Sequence, residues 1–273
     1  MTPILILAGK EVRDGLRNRW VLAATLILLA LALGLAFLGS APTGHVGASP
    51  LAVTVVSLAS LTVFLLPLMA LMLAFDAVVG EAERGTLLLL LAYPVRRWQV
   101  VAGKFLGHVT LLAIATVIGY GIAGLVVARG TGGDGWPAFV TLIAASIGLG
   151  ASFLALGTLA SAVVGERATA AGIAVGLWLG LVLLYDLGLL AALAATQGQG
   201  LVGALFPWVL LANPADIFRL LTLGGFAGVR DASGLAGLPP QALPSQVALV
   251  VAMIIWIVAP LGLTVAVFRR RPL

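Results

Sequence analysis

Residues 75–104 read F-D-A-V-V-G-E-A-E-R-G-T-L-L-L-L-L-A-Y-P-V-R-R-W-Q-V-V-A-G-K, Phe75 to Lys104. Between two long apolar segments this stretch gathers several charges, a Gly85-Thr86 break, a leucine run, Pro94 and the pair Arg96-Arg97. Thr86 can cap a helix that Pro94 disrupts or ends, giving Leu87–Ala92 as a short apolar rod. Arg96, Arg97 and Lys104 then flank the next apolar segment at the depth of anionic headgroups. One reading is an interfacial loop anchored by arginines. The other is a coupling helix, which a membrane domain offers to a groove on a soluble ATPase.

Almost everything outside this stretch is hydrocarbon-soluble. Of 273 residues, 62% are hydrophobic and 9% charged, whereas a soluble domain carries about 25% charge. Mean hydropathy is +1.18. These values imply an all-α polytopic membrane protein whose partner is the lipid bilayer. Six segments reach the roughly 20 apolar residues that span it, at about 20–38, 51–75, 105–128, 137–163, 170–195 and 246–268. With the N-terminus inside, the inner parts hold Lys10, Arg13, Arg17, Arg19, Arg84, Arg96, Arg97, Lys104, Arg167, Arg269, Arg270 and Arg271. The outer parts hold only Arg129, Arg219 and Arg230. This bias predicts both termini inside. It also accounts for the net charge of +5 without a nucleic-acid partner.

The chain reads as one membrane domain, 1–273, with no soluble domain and no fixed-period repeat. Thr2-Pro3 opens a helix over 1–19 in which Leu5, Val12 and Leu16 share a face and Lys10, Glu11, Arg13, Asp14, Arg17 and Arg19 take the rest. It is expected to lie on the inner leaflet and to turn into the membrane at Trp20. The run that follows is too long for the apolar part of a signal peptide, about 7–15 residues. The outer segments Gly39–Pro50 and Gly130–Trp136 are short, and 196–245 is long. Within the last, Leu201–Leu211 is too short to cross. Asn213-Pro214-Ala215-Asp216 supplies a cap, a first helical proline and a first-turn acid for a helix that stops at Gly224-Gly225. Short helices at the outer interface are expected, with a re-entrant pair as the alternative. Pro239, Pro240 and Pro244 belong to the loop back to the last span.

Catalytic motifs are sparse. Gly9-Lys10 and Gly103-Lys104 are followed by Glu11 and Phe105, so neither ends a P-loop. ATP, if used, is hydrolysed on another chain. Without cysteine there is no disulfide, thiolate ligand or thiol nucleophile. Ser152 has no histidine expected within hydrogen-bond reach, since His45 lies in an outer loop and His108 near the inner end of the third span. Glu81 and Glu83 lack an accompanying histidine for a metal site. Met69 and Met72 are potential soft-metal ligands or simple core packing. Asp186, after Tyr185, is the one acid well inside an apolar segment, and reads as a functional carboxylate or a packing contact. Gly172, Gly176 and Gly180 form a small-residue face, for contact within the chain or with a second copy. Pro67 and Pro260 predict kinks.

The pattern Glu83…Gly85-Thr86-Leu87…Leu90-Leu91…Pro94…Arg97…Gly103-Lys104, after two spans and a basic amphipathic helix, resembles the ABC-2 type permeases. So does Asn213-Pro214 with the following Arg219. Within that family, Lys10-Glu11, Leu16-Arg17-Asn18-Arg19-Trp20, Asp76–Glu81 and Gly103–His108 resemble the permeases of transporters that help mature nitrous oxide reductase. The resemblance implies a type V exporter-like transmembrane domain, six spans, N-in/C-in and homodimeric. Two copies of a cytoplasmic ABC ATPase, carrying ATP and Mg, would bind it. A periplasmic β-helix protein would sit outside, with a copper-chaperone lipoprotein engaged through the complex. Coupling would fall to Glu81, Glu83, Arg84, Gly85, Thr86, Leu87, Pro94 and Arg97. The outer mouth would hold Asp186, Asn213, Asp216 and Arg219. No catalytic residue, metal or cofactor is expected on this chain. The implied role is export of a sulfur species, or force transmission, for assembly of a periplasmic copper–sulfide cluster. A drug, lipid or polysaccharide exporter of the same family stands as the alternative. An ion-coupled secondary transporter, in which Asp186 would dominate the pH dependence, represents another class.

Overall fold

The computed structural model describes residues 3–17, 26–27, 29–31, 33–34, 50–131, 136–196, 200–223 and 244–270. Most of the expected first span, the segments around His45, Gly224-Gly225, Arg230, Pro239 and Pro240, the residues Thr2, Arg19, Trp20 and Arg271, and the side chain of Arg129 lie outside them. All described secondary structure is helical: α1 Pro3–Arg17, α2 Pro50–Ala74, α3 Val79–Glu83, α4 Thr86–Leu91, α5 Arg97–Thr131 and α6 Trp136–Val163. Then follow α7 Arg167–Trp178, a π-helical turn Leu179–Leu184, α8 Tyr185–Thr196, α9 Gly200–Leu211, α10 Pro214–Leu223 and α11 Gln246–Arg270. Among the described residues, five stretches are long and apolar enough to cross a membrane: Thr54–Glu83, Arg97–Val126, Trp136–Val163, Arg167–Thr196 and Gln246–Arg270. Helices are the economical answer to such sequences, because every backbone polar group in hydrocarbon must be satisfied within the chain. The hydroxyls of Thr62, Thr116, Thr158 and Thr264 follow the same rule, each donating to the carbonyl four residues earlier.

These five stretches overlap the expected segments 51–75, 105–128, 137–163, 170–195 and 246–268, but the first runs on to Glu83 and α5 begins at Arg97 rather than near 105. Gln99 at its third position accepts the Arg96 backbone N–H at 2.8 Å, half of a capping box that starts the helix in the loop.

At the centre stands α6, which packs against α2, α5, α10 and α11. Its glycines allow this. A Cβ on Gly157 would fall 2.8 Å from the Ala74 Cβ, and one on Gly150 2.6 Å from Leu112. Around it gather Leu58, Leu66, Leu71, Leu142, Leu149, Phe153, Leu154 and Phe218. Met69 and Met72 pack against the same core. The expected contact face Gly172, Gly176 and Gly180 meets no described residue within 4 Å. The close helix contacts thus use the glycines of the third and fourth spans, and the fifth leaves its small-residue face open.

The helix α1 lies along the first turns of α5 and leaves Leu5 and Leu16 of its expected leaflet face exposed. Leu7 is buried, whereas Leu5, Ile6 and Leu16 are exposed. Cβ atoms on Gly103 and Gly107 would stand 2.6 Å from Leu7 and 2.5 Å from Glu11, so the two backbones approach closely. Gly157→Val should lower stability by about 1–3 kcal/mol through overpacking. Gly172→Ala should leave the unfolding midpoint in detergent unchanged, which thermal denaturation of the two variants checks.

Candidate functional site

Two polar groupings stand out, at opposite ends of the spans. The first surrounds α3 and α4. Gly85 separates these helices with φ +71°, a left-handed conformation that suits glycine, and its N–H reaches Ala82 O at 3.1 Å. Gly85 therefore stands at the N-cap position of α4 instead of Thr86, whose hydroxyl donates back to Glu81 O at 3.2 Å. The helix ends at Leu91, three residues before the exposed Pro94.

Side chains of the loop fasten it to helix ends. Ser161 Oγ, near the end of α6, accepts the N–H groups of Val78 and Val79 at 2.9 and 3.0 Å. Glu83 Oε1 accepts the Arg167 N–H at 2.7 Å, placing a carboxylate on the N-terminus of α7. Asp76 pairs with Arg167 Nε at 2.8 Å and more loosely with Arg84 at 3.6 Å. Arg97 donates to the carbonyls of Phe268 and Arg269 at 2.7 and 3.0 Å, a cation on the C-terminus of α11. Leu87 is buried with Leu7, Val78, Val100, Val101, Ala162 and Phe268. Of the residues expected for coupling, Glu81 and Leu87 face inward and Glu83 and Arg97 bind helix termini, whereas Arg84, Gly85, Thr86 and Pro94 are exposed. The large apolar side chains that the loop exposes are Leu88, Leu89 and Tyr93, 58%, 68% and 70% exposed. A run of identical leucines gives no polarity from which to choose that face.

Lys104 departs from its expected place among headgroups. It is 3% exposed and lies 2.8 Å from Glu11 and 2.7 Å from Glu81. His108 Nε2 stands 3.5 Å from the other oxygen of Glu11. Burial works to raise the Glu11 carboxyl, but the His108 hydrogen bond and the Lys104 charge outweigh it and hold the group well below the usual carboxylate range. Ser152 donates to Gly148 O and Met253 Sδ, so His108 and Ser152 have separate partners and make no nucleophile–base pair.

The second grouping joins the fifth span to α10. Asn213 Oδ1 accepts the Ala215 N–H at 3.0 Å, the expected cap, while its Nδ2 donates to Leu181 O within the π-helical turn at 2.9 Å. Asp186 is not a lone acid: Arg219 bridges it at 2.5 Å and Asp216 at 2.8 Å. Tyr185 donates to Val209 O and Trp256 to Leu211 O, which secures α9. Burial and then the neighbouring Asp186 push the Asp216 carboxyl up to about 6, with Arg219 opposing.

With its pKa raised in the fold, Asp216 contributes stability that is complete below the unfolded value of 3.8 and lost as pH rises through about 6. Wild type should therefore lose thermal stability from pH 5 to 7 relative to Asp216→Asn, which is neutral throughout. Parallel melting curves measure this.

Comparison with known proteins bears on both groupings. Residues 5–273 match the ABC-2 family transporter protein family. The probable ABC transporter permease protein NosY of Pseudomonas aeruginosa is 47% identical over 280 residues, covering 100% of both chains. Its namesake from Stutzerimonas stutzeri is 45% identical over 276 residues, covering 99% of each. A match over nearly the whole chain, joined to apolar helices of membrane-spanning length, places this multi-pass inner-membrane permease in the ABC-2 transporter family.

Proposed function

We propose that this chain is the NosY-like permease of an ABC transporter serving nitrous oxide reductase. It couples cytoplasmic ATP hydrolysis to export of a sulfur species, or to force transmission, for periplasmic copper–sulfide cluster assembly. The observation that carries the reading is the two-sided loop. Its inner side binds the ends of α6, α7 and α11, while its outer side presents Leu88, Leu89 and Tyr93. An exposed apolar helix that is rigidly tied to several spans suits a partner that pushes. The similarity to two NosY permeases supports the nitrous oxide assignment.

On this reading the end carrying α1, the loop and the C-terminus of α11 faces the cytoplasm, with six spans in all and both termini inside. The whole chain, 1–273, forms one transmembrane domain. The arginine and lysine bias supports that orientation. Two chains form a homodimer, for which the open face at Gly172, Gly176 and Gly180 is suited. Two NosF-like ATPases bind ATP and Mg beneath it. A NosD-like β-helix protein docks outside, near Asp186, Asn213, Asp216 and Arg219, and a NosL-like copper chaperone joins through the complex. The chain has no cysteine and 4 methionines, which suits sulfur-species export or force transmission better than copper binding.

A mild-detergent pull-down of the tagged protein, read by mass spectrometry, tests the assignment. Recovery of an ABC ATPase with a periplasmic β-helix protein is expected; recovery of neither overturns it. Leu89→Glu should release the ATPase by placing a charge in an apolar groove. Glu83→Gln or Thr86→Ala should keep the ATPase bound and the fold intact yet uncouple ATP turnover from reductase maturation. Wild-type coupling in both would count against the loop's role.

A further inference from the structure

Besides the apolar contact of Leu87 with Leu7, Val100 and Val101, a buried cation joins the loop to the third span and to the N-terminal helix. Lys104 receives Glu11 from α1 and Glu81 from α3. The two links differ in what surrounds them. Around Glu11, the backbones of α1 and α5 are pressed together at Gly103 and Gly107, so α1 already travels with α5. No comparable backbone contact holds Glu81: a cavity of about 250 Å³, lined by Glu81, Glu11, Lys104, Asp76, Arg84 and His108, lies beside all three charges, and Glu81 Oε2 has no hydrogen-bond partner. The other charged link from α1 to the loop, Lys10 to Glu81, is longer at 3.7 Å and half exposed, and such pairs hold weakly. Asp76, also facing the cavity, pairs with Arg84 and with Arg167.

Resting on the reading that this loop docks an ATPase, we infer that Lys104 is a positioning residue that transmits loop movement to the N-terminal helix. Parting the ammonium from either carboxylate would break a close ion pair of a lysine only 3% exposed, so the three segments shift together. A push on α4 then reaches α1 and its lipid-facing Leu5 and Ile6, as well as the spans.

The absence of cysteine allows a single label at any chosen site. An environment-sensitive fluorophore is placed on Leu5→Cys in α1 or on Ala92→Cys in the loop, both exposed. The full permease–ATPase complex is then trapped with ATP and vanadate. With Lys104 present both probes should respond. In Lys104→Met the loop probe should still respond while the response at residue 5 is lost, and Lys104→Arg should restore it. Because Met leaves two buried carboxylates without a cation, the triple variant Glu11→Gln/Lys104→Met/Glu81→Gln is measured beside it and should show the same loss. A wild-type response at residue 5 in either variant overturns the transmission role and leaves docking intact. Silence of both probes in the complex with Lys104 present overturns the docking reading and the transmission role together.

Discussion

A lysine ammonium locked between two carboxylates from separate segments governs the charged end of this bundle. Removing a cation from water at 3% exposure is unfavourable unless both its charge and its donors are answered. Glu11 and Glu81 answer them only if α1 lies against α5 and α3 brings Glu81 to the same ammonium. One polar requirement therefore fixes the positions of a surface helix, a loop and a span. Glycines at 103 and 107 make the close approach possible, and His108 keeps Glu11 turned toward the pair.

Around that centre, the loop acts as a collective cap. Helix ends leave backbone groups without intrahelical partners, and at the base of a membrane bundle several ends meet. Ser161 meets the start of α3, Glu83 the start of α7, and Arg97 the end of α11. The signs agree with the helix dipoles, acid at an N-terminus and base at a C-terminus. Because each bond joins the loop to a different helix, the loop cannot shift without disturbing several termini at once. The outer grouping repeats the scheme on a smaller scale, with Arg219 between two acids and Asn213 binding a span's carbonyl.

Much of this architecture was readable from residues alone, and the reasons for success and failure are physical. Helices of membrane-spanning length follow from the length of apolar runs, and five of the six expected segments are such helices, the first lying mostly outside the described residues; the Asn213-Pro214 cap follows from local backbone chemistry and is present. What a residue faces is different. A helix that is apolar on every side carries no pattern to say which side meets protein, so the division of α4 into a buried Leu87 and exposed Leu88 and Leu89 was not legible. The partners of Lys104 and Asp186 were hidden because they lie far away in sequence. Lys104 looked like a headgroup anchor by position, and only the approach of Glu11 from 93 residues away makes its burial tolerable. Gly85 displaced Thr86 at the N-cap position of α4 because the turn there requires a positive φ.

The π-helical turn at Leu179–Leu184 has a consequence for the rotational phase of the fifth span. A wider turn accommodates one more residue than an α-helix of the same rise, and each residue turns the helix by about 100°. The half after the turn is therefore offset in azimuth from the half before it by about one residue's rotation. Gly172 and Gly176 lie before that offset, and Asp186, paired with Arg219, lies after it. Deleting a single residue from the turn would return the span to one azimuth and swing Asp186 away from its guanidinium. Sequence length in that turn, rather than residue identity, is what aims the carboxylate.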